Sequence, residues 1–239
     1  MYKNIVLLMF FLSVCAQVSA GGFSGELRLV PKGCQNTNSR VCRLDSMLTF
    51  KSTDGLVWQT DVWTDGNGQS GTTDGASIPK WAQSVIGDAY DESFLKAAII
   101  HDHYCYEENH VRTWRQTHRM FYDALNELGI VGVKAKTMYF AVYAFGPHWV
   151  KLVPGEKCGE NCIKSIDISG EKMDTDQFDW PVAQEEIAKF KQMAEKDQDL
   201  SLAEIESYAK LIKPDDFYQN HGDTYVPTGS DDPNFFSRY

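Results

Sequence analysis

His101, Cys105 and His118 are the residues of this chain best equipped for chemistry. The first two lie in the segment HDHYC (101–105) and the third in RQTHRMFY (115–122). Two imidazoles and a thiol are the side chains that zinc and softer metals prefer, while Asp102, between them, offers oxygen to a harder cation. His101 and Cys105 stand four residues apart, one turn of a helix, and so occupy neighbouring ground on its surface. Three such ligands leave a fourth position for water, with Asp102 or Asp74 serving as a further ligand or as a base. Water held on that metal is competent to attack an ester or an amide.

Each of these residues also has a plain structural reading. Cys105 fits a buried thiol, and His118 fits a core histidine bonded to His101 or to a backbone carbonyl. Asp74 suits a turn or a helix cap. Arg115 is placed to pair with Asp102 or Asp74 in a buried ionic network. His103 and His110 are expected to face solvent, and His148, beside Trp149 and just after a helix stop, either closes the pocket or, as the favoured reading, sits on a surface loop. The aromatic series Trp114, Phe121, Tyr122, Tyr139, Phe140, Tyr143 and Phe145 reads as core.

The elements that must position the trio follow from periodicity. Residues 92–108 place Phe94, Leu95, Ala98, Ile99, Asp102 and Cys105 near one helical stripe, and residues 112–128 align Trp114, His118, Phe121, Leu125 and Leu128. A short polar link, 107–111, makes these helices an antiparallel hairpin. His101 and His118 are about equally far in sequence from the middle of that link. At about 1.5 Å rise per residue they reach the same height and face each other. A third helix spans Lys134 to Phe145 and is stopped by Gly146-Pro147; amphipathic helices follow over 181–195 and 201–212. Upstream, GELRLV, MLTFKS and LVWQTDVWT alternate as strands of a small antiparallel sheet, joined to the helices by the Gly-rich stretch 65–75. The fold class expected is therefore α+β, a small N-terminal antiparallel sheet followed by a helical hairpin and further helices.

Lys3, the apolar run Ile5–Val14 and the small residues before Gly21 read as a secretory signal over residues 1–20. A rival reading lipidates Cys15, although Val14 stands where a lipoprotein signal carries Gly, Ala or Ser. The division expected is a signal peptide at 1–20, a core at 21–155, a cysteine loop with amphipathic helices at 156–214, and a polar tail from 215 to 239 that is partly extended or disordered. No later run reaches the ~18–20 apolar residues of a membrane span, so no transmembrane anchor is expected. Localisation is expected to be secreted or periplasmic. Without residues 1–20 five of the six cysteines remain. In an oxidising compartment Cys34 with Cys42 and Cys158 with Cys162 are the simplest pairs among three connectivities, leaving Cys105 over. The formal net charge of −10 argues against nucleic acid as a partner, because phosphate binding needs clustered Lys and Arg.

The blocks TDGASIP (73–79), AAIIHD (97–102), THRMFYDAL (117–125) and YFAVYAFGP (139–147) together resemble the family catalogued as domain of unknown function 1353 (DUF 1353), found in bacteria and phages. The likeness runs from Thr73 to Trp149 and confers no activity by itself. More distantly, the same order resembles bacterial secreted phospholipase A(2). That second likeness implies His101 as general base and Asp102 as a calcium ligand, with Asp74 and the backbone of Gly75 completing the calcium site. Two positions depart from the phospholipase pattern. Cys105 stands where it has Tyr, and His118 where it has the Asp that orients the base. Both departures run toward ligands that suit zinc.

The leading expectation is a secreted or periplasmic metal-assisted hydrolase using calcium or zinc, with His101, Asp102 and His118 catalytic and Asp74, Gly75, His101, Asp102, Cys105 and His118 facing the metal. Lipid ester is the substrate class that the phospholipase likeness favours, and cell-wall amide the class that a zinc site permits. The rival from another class is a noncatalytic secreted or phage-derived interaction module whose hairpin is locked by the same residues.

Overall fold

The computed structural model describes residues 21–30, 42–66, 70–73, 91–106, 109–152, 157–159, 162–163, 170–173 and 180–225. Its N-terminal part holds two three-stranded antiparallel sheets where the sequence suggested one. The first contains β1 (Gly22–Ser24), β4 (Thr49–Lys51) and β5 (Val57–Gln59); the second contains β2 (Leu29–Val30), β3 (Cys42–Leu44) and β6 (Thr72–Thr73). Each expected run yields only two or three ladder residues, because the chain crosses from one sheet to the other. Register is set by large side chains. Phe50 pairs with Trp58, and both are buried.

The hairpin forms as expected. Helix α1 spans Leu95–Cys105 and α2 spans Trp114–Glu127, and the two pack against each other. Unlike a one-faced surface helix, α1 is buried at eight of its positions, since the AAII run leaves it little polar surface. The start of α2 is fixed by a capping box. Thr113 Oγ1 accepts from the Gln116 amide, while the Gln116 side chain accepts from the Thr113 amide. Its end is a Schellman turn, in which the Ile130 amide donates to Leu125 O across Gly129 at φ +81°.

Helix α3 (Gly132–Phe145) is central, packing against α2 on one side and against α4 (Trp180–Lys196) and α5 (Leu202–Ile212) on the other. It stops at Gly146, before Pro147, as the sequence implies. Beyond it, β7 (Trp149–Leu152) pairs with β10 (Gly170–Met173), and β8 (Lys157–Gly159) with β9 (Cys162–Ile163). Of the expected polar tail, 215–239, the structure describes residues up to Tyr225; 226–239 lie outside the described residues. The described part forms the short helix α6 (Phe217–Asn220) and the strand β11 (Thr224–Tyr225), which adds in parallel to β7. Asp216 caps α6 by accepting from the Gln219 amide at 2.9 Å.

Two apolar clusters result. One joins the sheets to α1 and α2 through Leu48, Phe50, Trp58, Ile99, Phe121 and Leu125. The other joins α2 and α3 to α4 and α5 through Trp114, Tyr139, Phe140, Phe190 and Ile205. His101 lies against Phe121 of the first, while His118 lies against Trp114 of the second. The histidine pair therefore sits on the seam between the clusters. No helix among the described residues is long and apolar enough to cross a membrane.

Candidate metal centre

The hairpin brings His101 Nε2 to 2.8 Å from His118 Nδ1, with both residues buried. Equal height on antiparallel helices delivers this contact, as the sequence expected. The third group is close behind. Cys105 Sγ lies 3.8 Å from His101 Nδ1 and 3.7 Å from His101 Nε2, and one ligand atom from each of the three residues falls within 4.8 Å of the others. Asp102 Oδ1 stands 3.6 Å from His101 Nδ1.

Proton positions in the pair follow from one backbone group. His118 Nε2 lies 3.2 Å from the carbonyl oxygen of Pro147, which can only accept, so this nitrogen carries the hydrogen. His118 Nδ1 is then a lone pair, and His101 Nε2–H donates to it. Burial, followed by the nearby His101 and His148, holds His118 well below the ordinary histidine range, so it stays neutral. Burial and the Asp102 carboxylate push the Cys105 thiol well above its ordinary value.

This donor set fits a divalent transition metal. Zinc between tetrahedral ligands holds two nitrogens about 3.3 Å apart and nitrogen and sulfur about 3.6 Å apart. The 3.7 Å separation of Cys105 Sγ from His101 Nε2 already matches; to hold the metal, the imidazoles would part by about half an ångström and Cys105 Sγ, within 4.8 Å of the His118 ligand atom, would close on it. With His101 Nε2, His118 Nδ1 and Cys105 Sγ as ligands, the remote nitrogen of each imidazole still faces an oxygen. His118 would keep Pro147 O, and His101, with its proton moved from Nε2 to Nδ1, would direct it toward Asp102. A thiolate and a carboxylate beside two neutral imidazoles also balance a double positive charge. A free nucleophilic thiolate is less well supported, because among the described residues no cation faces Cys105, and its sulfur is almost equidistant from both ring nitrogens.

Other sequence expectations fare unevenly. Asp74 and Gly75, the proposed calcium loop, lie outside the described residues. Arg115 does not join Asp102; it pairs with Asp223 Oδ1 at 2.8 Å, because it leaves α2 on the side covered by the C-terminal segment. His148 is no surface residue. It is fully buried, donates from Nε2 to Tyr143 O at 2.8 Å, and is pushed down to about 4 chiefly by burial. His103 and His110 are likewise buried: Asn109 Nδ2 reaches the carbonyl of His103, while His110 stacks on Trp149 with ring centres 3.8 Å apart. Cys105 is a free, half-buried thiol and Cys42 is disulfide-bonded. Cys34 lies outside the described residues. Sequence reasoning missed Pro147 as a hydrogen-bond acceptor; the available signal was the FGPH turn, which ends α3 beside the hairpin.

Two curated relatives are uncharacterized proteins of Sinorhizobium fredii. The one called y4iH is 49% identical over 112 residues, 46% of this chain and 43% of the relative. The one called y4jT is 36% identical over 136 residues, 56% of this chain and 38% of the relative. The matches thus span less than half the length of either relative. No solved structure matches significantly. The more distant likeness to phospholipase A(2) is not borne out. Residues 54–142, which build α1, α2 and most of α3 and supply His101, Cys105 and His118, match the family described as "Protein of unknown function (DUF1353)".

Proposed function

We propose that the protein is a zinc-dependent hydrolase acting on an acyl bond, an ester or an amide, with His101, Cys105 and His118 as the metal ligands. The observation that carries this reading is the convergence of the three ligand atoms within 4.8 Å, with an oxygen facing the remote nitrogen of each histidine. Calcium is the poorer fit, because it takes oxygen and this donor set is nitrogen and sulfur. Bound zinc supplies Lewis-acid activation of water and of an acyl carbonyl.

The chain's own groups divide the remaining work. Pro147 O orients His118, and Asp102 orients His101 and is the carboxylate nearest the centre, suited to hold a proton beside it. Half-burial of Cys105, against the full burial of His118, favours the Cys105 side as the approach for substrate. Cell-wall amide and lipid ester are the two substrate classes to separate. An exported protein suits either, and the disulfide at Cys42 supports an oxidising compartment.

Metal analysis of protein purified without chelator tests the reading directly. About one zinc per chain is expected in the wild type and none in His118→Ala. Hydrolysis of peptidoglycan or of phospholipid vesicles should then vanish in His101→Ala. Absence of zinc from the wild type, with no uptake when zinc is added, refutes the metal centre.

Burial of both imidazoles favours a second reading, in which the His101–His118 hydrogen bond only locks the hairpin of a noncatalytic module. Under it, His118→Ala lowers the melting temperature of a protein that never held metal.

A further inference from the structure

The C-terminal segment 213–223 reaches back to the start of α2 and to the turn after α3. Arg115 is the fastening point. Its Nη1 donates to Asp223 Oδ1 at 2.8 Å, and its Nη2 donates to Tyr218 O at 2.9 Å and His221 O at 3.0 Å, with Gln219 O at 3.5 Å. The guanidinium also lies over Trp114, 4.3 Å from the ring centre. At the other end of the segment, Lys213 Nζ donates to Ala144 O at 3.2 Å and pairs with Asp216 at 3.3 Å.

What this segment covers is the turn that orients the metal centre. The ring of Tyr218 faces that of His148 at 5.9 Å, and His148 packs against Trp114 at 4.2 Å and His118 at 5.9 Å. His148 is joined directly to Pro147, whose carbonyl accepts from His118 Nε2. Every link from Arg115 to His118 is thus a hydrogen bond, a ring contact or a peptide bond. Residues 213–223 lie outside the matched span 54–142, so the ligands come from the family segment and this support from another part of the chain.

We infer that Arg115 is a positioning residue for the candidate metal centre, acting through segment 213–223 and the Pro147–His148 turn to hold His118 in its ligating orientation. The inference rests on the zinc reading above. Only the planar fork of an arginine reaches three carbonyls and a carboxylate together; a lysine keeps the charge but loses that geometry.

The test compares wild type, Arg115→Lys and Asp216→Ala, the last loosening the segment from its other end. Zinc affinity is measured against a chromophoric chelator, and the absorption of the cobalt(II)-substituted protein reports the ligand geometry. Both variants should bind zinc more weakly by on the order of 10-fold, the range expected when an outer-shell partner is lost, and should alter the cobalt bands. Tight zinc binding by the wild type with equal affinity and identical cobalt spectra in folded variants overturns the inference and leaves the zinc reading standing. If the wild type binds no metal, the zinc reading fails instead. Nitrogen-15 NMR of the metal-free proteins then decides the positioning claim: the His118 tautomer should be fixed in the wild type and mixed in the variants, and an unchanged signal overturns it.

Discussion

Lowering the pH of the metal-free protein from 7.5 to 5.0 should remove about 4 kcal/mol of stability through two buried histidines. His118 and His148 are both fully buried, and burial is the first cause holding each below the ordinary range. An unfolded chain takes up a proton at each site below about pH 6.5, while the folded protein does not. Protons therefore favour unfolding. Stability is complete above pH 6.5 and falls by about 1.4 kcal/mol per pH unit for each histidine as the pH drops; for His148 the loss ends near its folded value of about 4. From pH 6.5 to 5.0 each site contributes about 2 kcal/mol. Carboxylates held low by their partners, such as Asp91 beside Ser93, titrate below this window and do not contribute to it. Urea unfolding followed by tryptophan fluorescence, with chelator present, measures the slope. His148→Gln should halve it, because one of the two sites no longer titrates. A wild-type stability that stays flat within about 1 kcal/mol from pH 7.5 to 5.0 refutes the claim that both histidines are buried neutral.

Glu206→Ala should cost about 2–3 kcal/mol, read as a fall in melting temperature, because one carboxylate holds α5 to both α2 and α3. It accepts from Arg119 through both oxygens, at 2.7 and 2.6 Å, and from the buried Tyr139 hydroxyl at 2.6 Å. Gly146→Ala should weaken zinc uptake while leaving most of the helix content measured by circular dichroism. A Cβ there collides with Val142 O and stands 3.2 Å from His118 Cε1, so the turn carrying Pro147 must shift.

Periodicity sufficed for the helices because their determinants are local. The capping pair Thr113 and Gln116, the Gly129 turn and the Gly146-Pro147 stop each act within a few residues of where they stand. Strands were harder. Leu29 pairs with Leu44, and Cys42 with Thr73, partners far enough apart that alternation alone could not assign them to a second sheet. The elements between Asp215 and Tyr225 are hard to read from sequence for a related reason. The segment's composition is polar, but three of its backbone carbonyls are satisfied by Arg115, about a hundred residues earlier, and β7 supplies a ladder for β11.

At the site, residue type and spacing located the trio but not its supports. His118 was recognisable as a partner for His101, since two helices joined by a short link must align residues equidistant from it. Its second partner is a carbonyl, which every residue possesses, so no side-chain signal marks Pro147. Polarity was equally uninformative for His103, His110 and His148. A histidine is expected at the surface unless something can satisfy it inside, and here backbone carbonyls and aromatic rings do so: Tyr143 O for His148, Cys105 O and Trp149 for His110. The same logic separates the two readings of the centre. A hydrogen-bonded histidine pair requires only one acceptor beyond itself, and Pro147 provides it. Asp102 beside His101 Nδ1 and Cys105 beside His101 Nε2 exceed that requirement, and both become useful once a divalent cation replaces the shared proton.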